Sequence, residues 1–170
     1  MADYSFTVLE EDTLRDLSEA AGHWLLARGA TVACAESCTG GLLTSTLTDV
    51  SGSSVYVKGA VVSYSDEAKE RLAGVRAETL AEHGAVSAET AREMAEGVRE
   101  KIGTDFAISI TGFAGPDPGL TEQPTGLVYI AVAGSHGTAV RENRFQGSRH
   151  AIKLRSVATA LCMLIDYNMY

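Results

Sequence analysis

Thr31-Val32-Ala33-Cys34-Ala35-Glu36-Ser37-Cys38-Thr39-Gly40-Gly41-Leu42-Leu43 reads as a short buried strand that turns tightly into a helix. The apolar run 30–35 suits the strand, and the apolar-periodic segment from Gly41 to Leu47 suits the helix. At such a turn the first N–H groups of the helix lack intrahelical partners and stabilise negative charge placed over them. Ser37 is therefore expected to sit over free backbone donors, which is what a nucleophilic serine needs. The plain alternative is that Ser37 caps the helix, since serine and threonine are preferred caps.

Outward from this turn, helical and extended patterns alternate. Leu14, Leu17, Ala21, Trp24 and Leu25 recur at helical spacing before the strand. Gly59 to Tyr64 reads as a second strand, and Ser65 to Leu72 as a helix start with a serine cap and an acidic first turn. Thr79 to His83 is a short helix ended by Gly84, and Ser87 caps a long amphipathic helix closed by Gly103. Asp105 to Thr111 is a third strand, and Leu127 to Ala133 and Thr138 to Phe145 form a hairpin around Gly134-Ser135-His136-Gly137. A last helix buries Leu154, Val157, Ala158, Leu161, Leu164 and Ile165. This order predicts an α/β fold, a single three-layer α/β/α domain over residues 1–170 with a mixed sheet and helices on both faces.

Composition narrows the function. A chain of 170 residues, 45% hydrophobic and 21% charged, buries a full core without disulfides or metal. A net charge of −8 argues against general binding to nucleic acid or membrane surfaces, which need a basic face. No run of 18 apolar residues occurs, and the first residues lack a signal-peptide pattern, so a cytoplasmic protein is expected. Cys34, Cys38 and Cys162 are expected to be free thiols. Four singly scattered histidines, at 23, 83, 136 and 150, do not supply the convergent ligands of a metal site.

In open α/β sheets, sites form at the carboxyl ends of strands beside helix N-termini. Three segments qualify: 36–41, 64–69 and 111–115. They hold Ser37, Thr39, Tyr64, Ser65, Lys69 and Thr111 but no histidine, so a Ser-His-Asp triad would need His136 or His150 from elsewhere. A serine can instead be activated by an unprotonated lysine, provided burial or nearby cations depress that lysine's pKa. Lys69 is the candidate base, with Tyr64 placed to hydrogen-bond it or relay a proton. Spacing by itself favours a solvated helix lysine paired with Glu70 or Glu67, because lysines are seldom buried. Cys38 is a rival nucleophile if the helix start lowers its pKa. The 112–116 loop could cradle a phosphate or ribose through its N–H groups, and Arg149 could pair with phosphate.

Taken together, Ala35-Glu36-Ser37-Cys38-Thr39-Gly40-Gly41, Gly52-Ser53-Ser54, Val61-Val62-Ser63-Tyr64-Ser65 with Ala68-Lys69, and Gly84-Ala85-Val86-Ser87 resemble a known family. Thr111-Gly112 with Ala114-Gly115-Pro116, and Pro124 with Gly126, complete the likeness over about residues 10 to 166. The family is that of the C-terminal domain of the competence-damage-inducible protein CinA, the nicotinamide mononucleotide deamidases. The resemblance implies hydrolysis of the nucleotide's carboxamide to nicotinate mononucleotide and ammonia, without metal or organic cofactor. It implies Ser37, Lys69 and Tyr64 as the catalytic residues. The oxyanion is expected on N–H groups around Cys38, Thr39, Gly40 and Gly41, with substrate contacts from Thr111, Gly112, Ala114, Gly115 and Arg149. It also implies self-association into a homo-oligomer, and a stand-alone form of the domain.

Three departures stand out. Asp66 replaces the usual Asn, and a carboxylate near Lys69 favours the ammonium form. Phe113 replaces the commoner Ile. The loop 117–123 lacks the usual glycine pair and lysine before Pro124, which touches substrate preference. The rival functions are a non-catalytic nucleotide-binding module and an amidase for another small pyridine or amide.

Overall fold

The computed structural model describes residues 11–115 and 124–167. Five strands, β1 (Val32–Glu36), β2 (Val57–Val62), β3 (Phe106–Gly112), β4 (Leu127–Gly134) and β5 (Gly137–Arg144), form one sheet in the order β2-β1-β3-β4-β5. β1 runs parallel to both β2 and β3, while β4 is antiparallel to β3 and to β5. The mixed α/β architecture expected from the sequence is therefore the one observed. Among the described residues no helix is long and apolar enough to cross a membrane.

Strand periodicity of two divides the core into faces of unlike size. Val32, Cys34, Ile108, Ile110, Val128, Ile130 and Val132 point to one face, which α1 (Glu11–Leu26), α2 (Leu42–Thr48) and α6 (Arg149–Ile165) cover. Ala33, Ala35, Ala107, Ala131 and Ala133 point to the other, against Ala91, Met94, Ala95 and Val98 of α5 (Ala88–Ile102). Alanine against alanine lets α5 lie close to the sheet.

That close approach controls the segment carrying Lys69. Ser65 caps the single turn α3 (Asp66–Ala68) as expected, accepting from the Ala68 N–H at 3.2 Å. The helix does not continue in α form: residues Lys69–Ala73 make a wider π turn, closed by the Gly74 N–H on the Lys69 carbonyl. A short helix α4 (Ala77–His83) then leads to α5. Lys101 of α5 donates to the Arg71 and Leu72 carbonyls at 2.8 and 3.3 Å, holding the π turn down. Gly97 of α5 faces the same turn, and a Cβ there would stand 2.1 Å from the Ala73 carbonyl oxygen. Gly97→Ala is expected to destabilise the fold by about 1–3 kcal/mol, the usual cost of overpacking, read as a lowered midpoint in thermal melting.

The sheet order puts β1 between β2 and β3, all three parallel. Their carboxyl ends, Glu36, Val62 and Gly112, therefore emerge side by side. Ser37 donates its N–H to the Ile110 carbonyl at 2.9 Å, and Ser63 donates to the Glu36 carbonyl at 2.8 Å. The three post-strand segments meet for that reason.

Candidate active site

Lys69 is 2% exposed and Ser37 7%. Lys69 Nζ lies 3.1 Å from Ser37 Oγ and donates to the Ser63 carbonyl at 3.0 Å. The side chain thus turns inward to the serine rather than outward to Glu67 or Glu70. Burial lowers the Lys69 pKa below its ordinary value, because the interior solvates an ammonium poorly. The exposed carboxylate of Asp66 opposes that shift without reversing it.

Cys38 lines one cavity with Ser37 and Lys69, but burial pushes its thiol up to about 12. Such a thiol stays protonated near neutral pH and is a poor nucleophile. The lowered thiol pKa that would make Cys38 a rival is not found. The helix start that was to lower it is already neutralised by another side chain.

That side chain is Glu36, fully buried at the end of β1. Its carboxylate accepts the N–H groups of Gly41 and Leu43 at 3.0 Å each and of Thr44 at 2.9 Å, and the Thr44 hydroxyl at 2.6 Å. Ser37 is therefore not the cap of α2. The N-cap position belongs to Gly41, whose φ of 97° no side chain readily adopts and which offers no capping group. Glu36 reaches forward over the turn and replaces a cap. The sequence signal for this arrangement is a carboxylate that ends a buried strand five residues before the helix boundary, beyond the reach of an ordinary cap.

The turn's N–H groups are unequally free. Gly40 donates to the Ser37 carbonyl at 3.0 Å, and Gly41 to Glu36. Cys38 and Thr39 have no backbone hydrogen-bond partner for their N–H groups among the described residues. Of the four residues expected to hold an oxyanion, these two have N–H groups without a backbone acceptor, and of the two only Cys38 lines the cavity over Ser37. Thr39 is itself fully buried, and its hydroxyl has no partner among the described residues.

A cavity of about 240 Å³ opens over Ser37, Cys38 and Lys69. Thr111, Gly112, Ala114 and Gly115 form one wall, and Tyr64, Asp66 and Arg149 the mouth. Thr39, Gly40 and Gly41 do not line it. The Thr111 hydroxyl donates to the Ala85 carbonyl at 2.7 Å, which binds the end of β3 to the segment before α5. Gly112 lets β4 pass, since a Cβ there would meet the Leu127 carbonyl oxygen at 2.6 Å. Two larger clefts, of about 590 and 530 Å³, lie against α5 with the β4–β5 hairpin and between α1, α2 and α6. Neither holds a hydroxyl paired with a buried base.

Among the described residues no hydrogen bond joins Tyr64 to Lys69. Backbone alternation at the end of β2 turns Ser63 inward and Tyr64 outward, 64% exposed. Its hydroxyl accepts from Arg149 at 2.9 Å, and Arg149 also donates to the Gly115 carbonyl at 2.6 Å. Arg149 so joins the start of α6 to the cavity mouth across 85 residues of sequence. The histidines lie elsewhere: His136 contacts Ser135 in the exposed hairpin turn, and His150 lines the cleft beside α1. Pro116 and the altered loop 117–123 fall outside the described residues. Among the described residues no group of three or more side chains is disposed to hold a metal ion.

Comparison with known proteins converges on one family. A family model described as the CinA C-terminal domain matches residues 14–168. A CinA-like protein of Syntrophomonas wolfei is 52% identical over 136 residues, covering 80% of this chain and 33% of that protein. The nicotinamide-nucleotide amidohydrolase PncC of Escherichia coli strain K12 is 46% identical over 154 residues, covering 90% of this chain and 93% of PncC. The crystal structure of the competence/damage inducible protein CihA from Agrobacterium tumefaciens superposes with a TM-score of 0.89 at 39% identity, over 95% of this chain and 99% of that one. The chain thus spans about a third of the CinA-like protein and nearly all of PncC and CihA.

Proposed function

The chain belongs to the CinA C-terminal domain family, and from that premise we propose that it hydrolyses the carboxamide of nicotinamide mononucleotide, giving nicotinate mononucleotide and ammonia. The observation that carries the proposal is the 3.1 Å contact between two buried groups, Lys69 Nζ and Ser37 Oγ. A hydroxyl is a weak nucleophile until a base takes its proton, and a desolvated amine is such a base.

With Lys69 neutral, one of its N–H bonds is donated to the Ser63 carbonyl, and its lone pair accepts the Ser37 hydroxyl. Oγ attacks the amide carbon as Lys69 takes the proton. The carbonyl oxygen becomes an oxyanion held at the turn after Ser37, where the Cys38 N–H, on the cavity lining, is the donor within its reach. As the tetrahedral intermediate collapses, the C–N bond breaks and the Lys69 ammonium returns its proton to the departing ammonia. A water then attacks the nicotinoyl ester, giving its proton to Lys69, which passes it back to Oγ as the acid leaves. Tyr64 acts in this scheme through Arg149, to which it is bonded, rather than as a relay to Lys69.

The cavity is smaller than the roughly 300–1,000 Å³ that encloses a whole drug-sized ligand. It suits the pyridine carboxamide, leaving ribose and phosphate at the mouth beside Arg149. A nucleotide substrate accords with a cytoplasmic enzyme, and self-association is part of the same family expectation. The test is ammonia release by the purified protein from the mononucleotide, its riboside and free nicotinamide. A charge-assisted contact from Arg149 to phosphate predicts kcat/KM higher by about 10-fold or more for the mononucleotide than for the riboside. Equal turnover of the two would remove the phosphate contact, preference for free nicotinamide would point to another small-amide substrate, and no release from any would leave a nucleotide-binding module.

A further inference from the structure

A buried carboxylate is costly unless its charge is answered, and Glu36 has no ion-pair partner among the described residues. What answers it is one turn of backbone. Oε2 takes the N–H groups of Gly41 and Leu43, and Oε1 takes the N–H and hydroxyl of Thr44. A serine or aspartate at the helix boundary would satisfy the start of α2 more simply. The chain instead spans 37–41 with two left-handed glycines, at φ 64° and 97°, and secures the far end of that span from Glu36.

The near end is secured separately, by Ser37 N–H on the Ile110 carbonyl. The Glu36 carbonyl meanwhile accepts from the Ser63 N–H, and the Ser63 carbonyl accepts from Lys69 Nζ. One residue therefore touches both arms of the site: its side chain fixes the turn after Ser37, and its backbone fixes the residue that orients Lys69. We propose that Glu36 is a positioning residue, whose carboxylate holds the β1–α2 turn where Ser37 Oγ meets Lys69 Nζ and keeps Cys38 on the cavity lining. This role rests on Ser37 being the nucleophile.

Glu36→Gln keeps the shape but sets an amide N–H₂ against N–H donors, so the turn must shift. Thr44→Val removes one bond to Oε1 and is the milder change. Both are measured as fully folded protein, checked by near-UV circular dichroism, for kcat and KM on nicotinamide mononucleotide and for the rate at which a fluorophosphonate labels Ser37. For Glu36→Gln, kcat and labelling rate are expected to fall together by about 10²-fold, the effect of roughly 1 Å of misplacement, with KM little changed. Thr44→Val is expected to show the same pattern to a smaller degree, and decides the matter if Glu36→Gln does not fold. Wild-type labelling and kcat in the folded variants would overturn the role and leave Glu36 as a stabiliser only. Wild-type protein that labels at Ser37 but leaves the mononucleotide intact would overturn the substrate, while the labelling rates still measure Glu36. Absence of labelling and of turnover in the wild type would remove the nucleophile and this role together.

Discussion

Ser37→Ala is expected to abolish ammonia release from nicotinamide mononucleotide, with kcat down by at least about 10³-fold, the scale seen when an acyl-transfer nucleophile is removed. The loss should fall on kcat, because the cavity walls and Arg149 are untouched. Stability should change by no more than about 1 kcal/mol, since among the described residues the side-chain hydrogen bond lost is the one to Lys69. Turnover and thermal melting on one preparation separate the two effects. Normal turnover in Ser37→Ala would sink acyl transfer through this residue, whatever the fold.

Lys69→Met is the second large effect. It keeps an unbranched side chain but removes the base, and kcat should fall by about 10²–10⁴-fold, the usual contribution of a positioned general base. Because Ser37 and Lys69 act as one unit, the double variant should be no worse than Ser37→Ala. Lys69→Arg should be equally inactive, as a guanidinium does not deprotonate in this range.

The pH dependence has a definite sign. Burial lowers the Lys69 pKa, so the folded protein releases the proton before the unfolded chain does, near 10.5. Between the two values the unfolded chain holds more protons, and stability rises with pH. Below that window the full penalty of a buried ammonium remains. The kcat/KM of the wild type should climb with pH and level off above the folded pKa, itself below 10.5. Lys69→Met should lack that limb, and its melting temperature should exceed the wild type's at low pH by a margin that shrinks as pH rises. A wild-type profile flat throughout would remove Lys69 as the base.

Asp66 tunes this behaviour. It stands at the cavity mouth, exposed, and its charge pulls the Lys69 pKa upward against burial. Water screens an exposed carboxylate, whereas nothing screens the desolvation of Nζ, so burial prevails. Asp66 is therefore expected to move the pH profile upward without abolishing the role proposed for Lys69.

Much of this protein follows from short-range rules. Apolar runs of strand length, glycines after helices, and serines at 65 and 87 before them place the elements, because capping and periodicity act within a few residues. Alternating helices and strands then bring the segments after β1, β2 and β3 to one edge, and Ser37, Lys69 and the 111–115 wall with them. The same rules fail where partners are distant. Arg149 finds Tyr64 across 85 residues, so spacing suggested a tyrosine on Lys69 that packing placed on arginine. Glu36 displaces Ser37 as the group that satisfies α2, since a buried carboxylate outcompetes a hydroxyl for several N–H donors at once. By itself the sequence determined the strand–turn–helix unit and which side chains could reach a common edge. Only the tertiary structure decided that Lys69 is dry and faces Ser37, because desolvation belongs to everything packed around a group: here α5 pressing the π turn onto a sheet face of alanines.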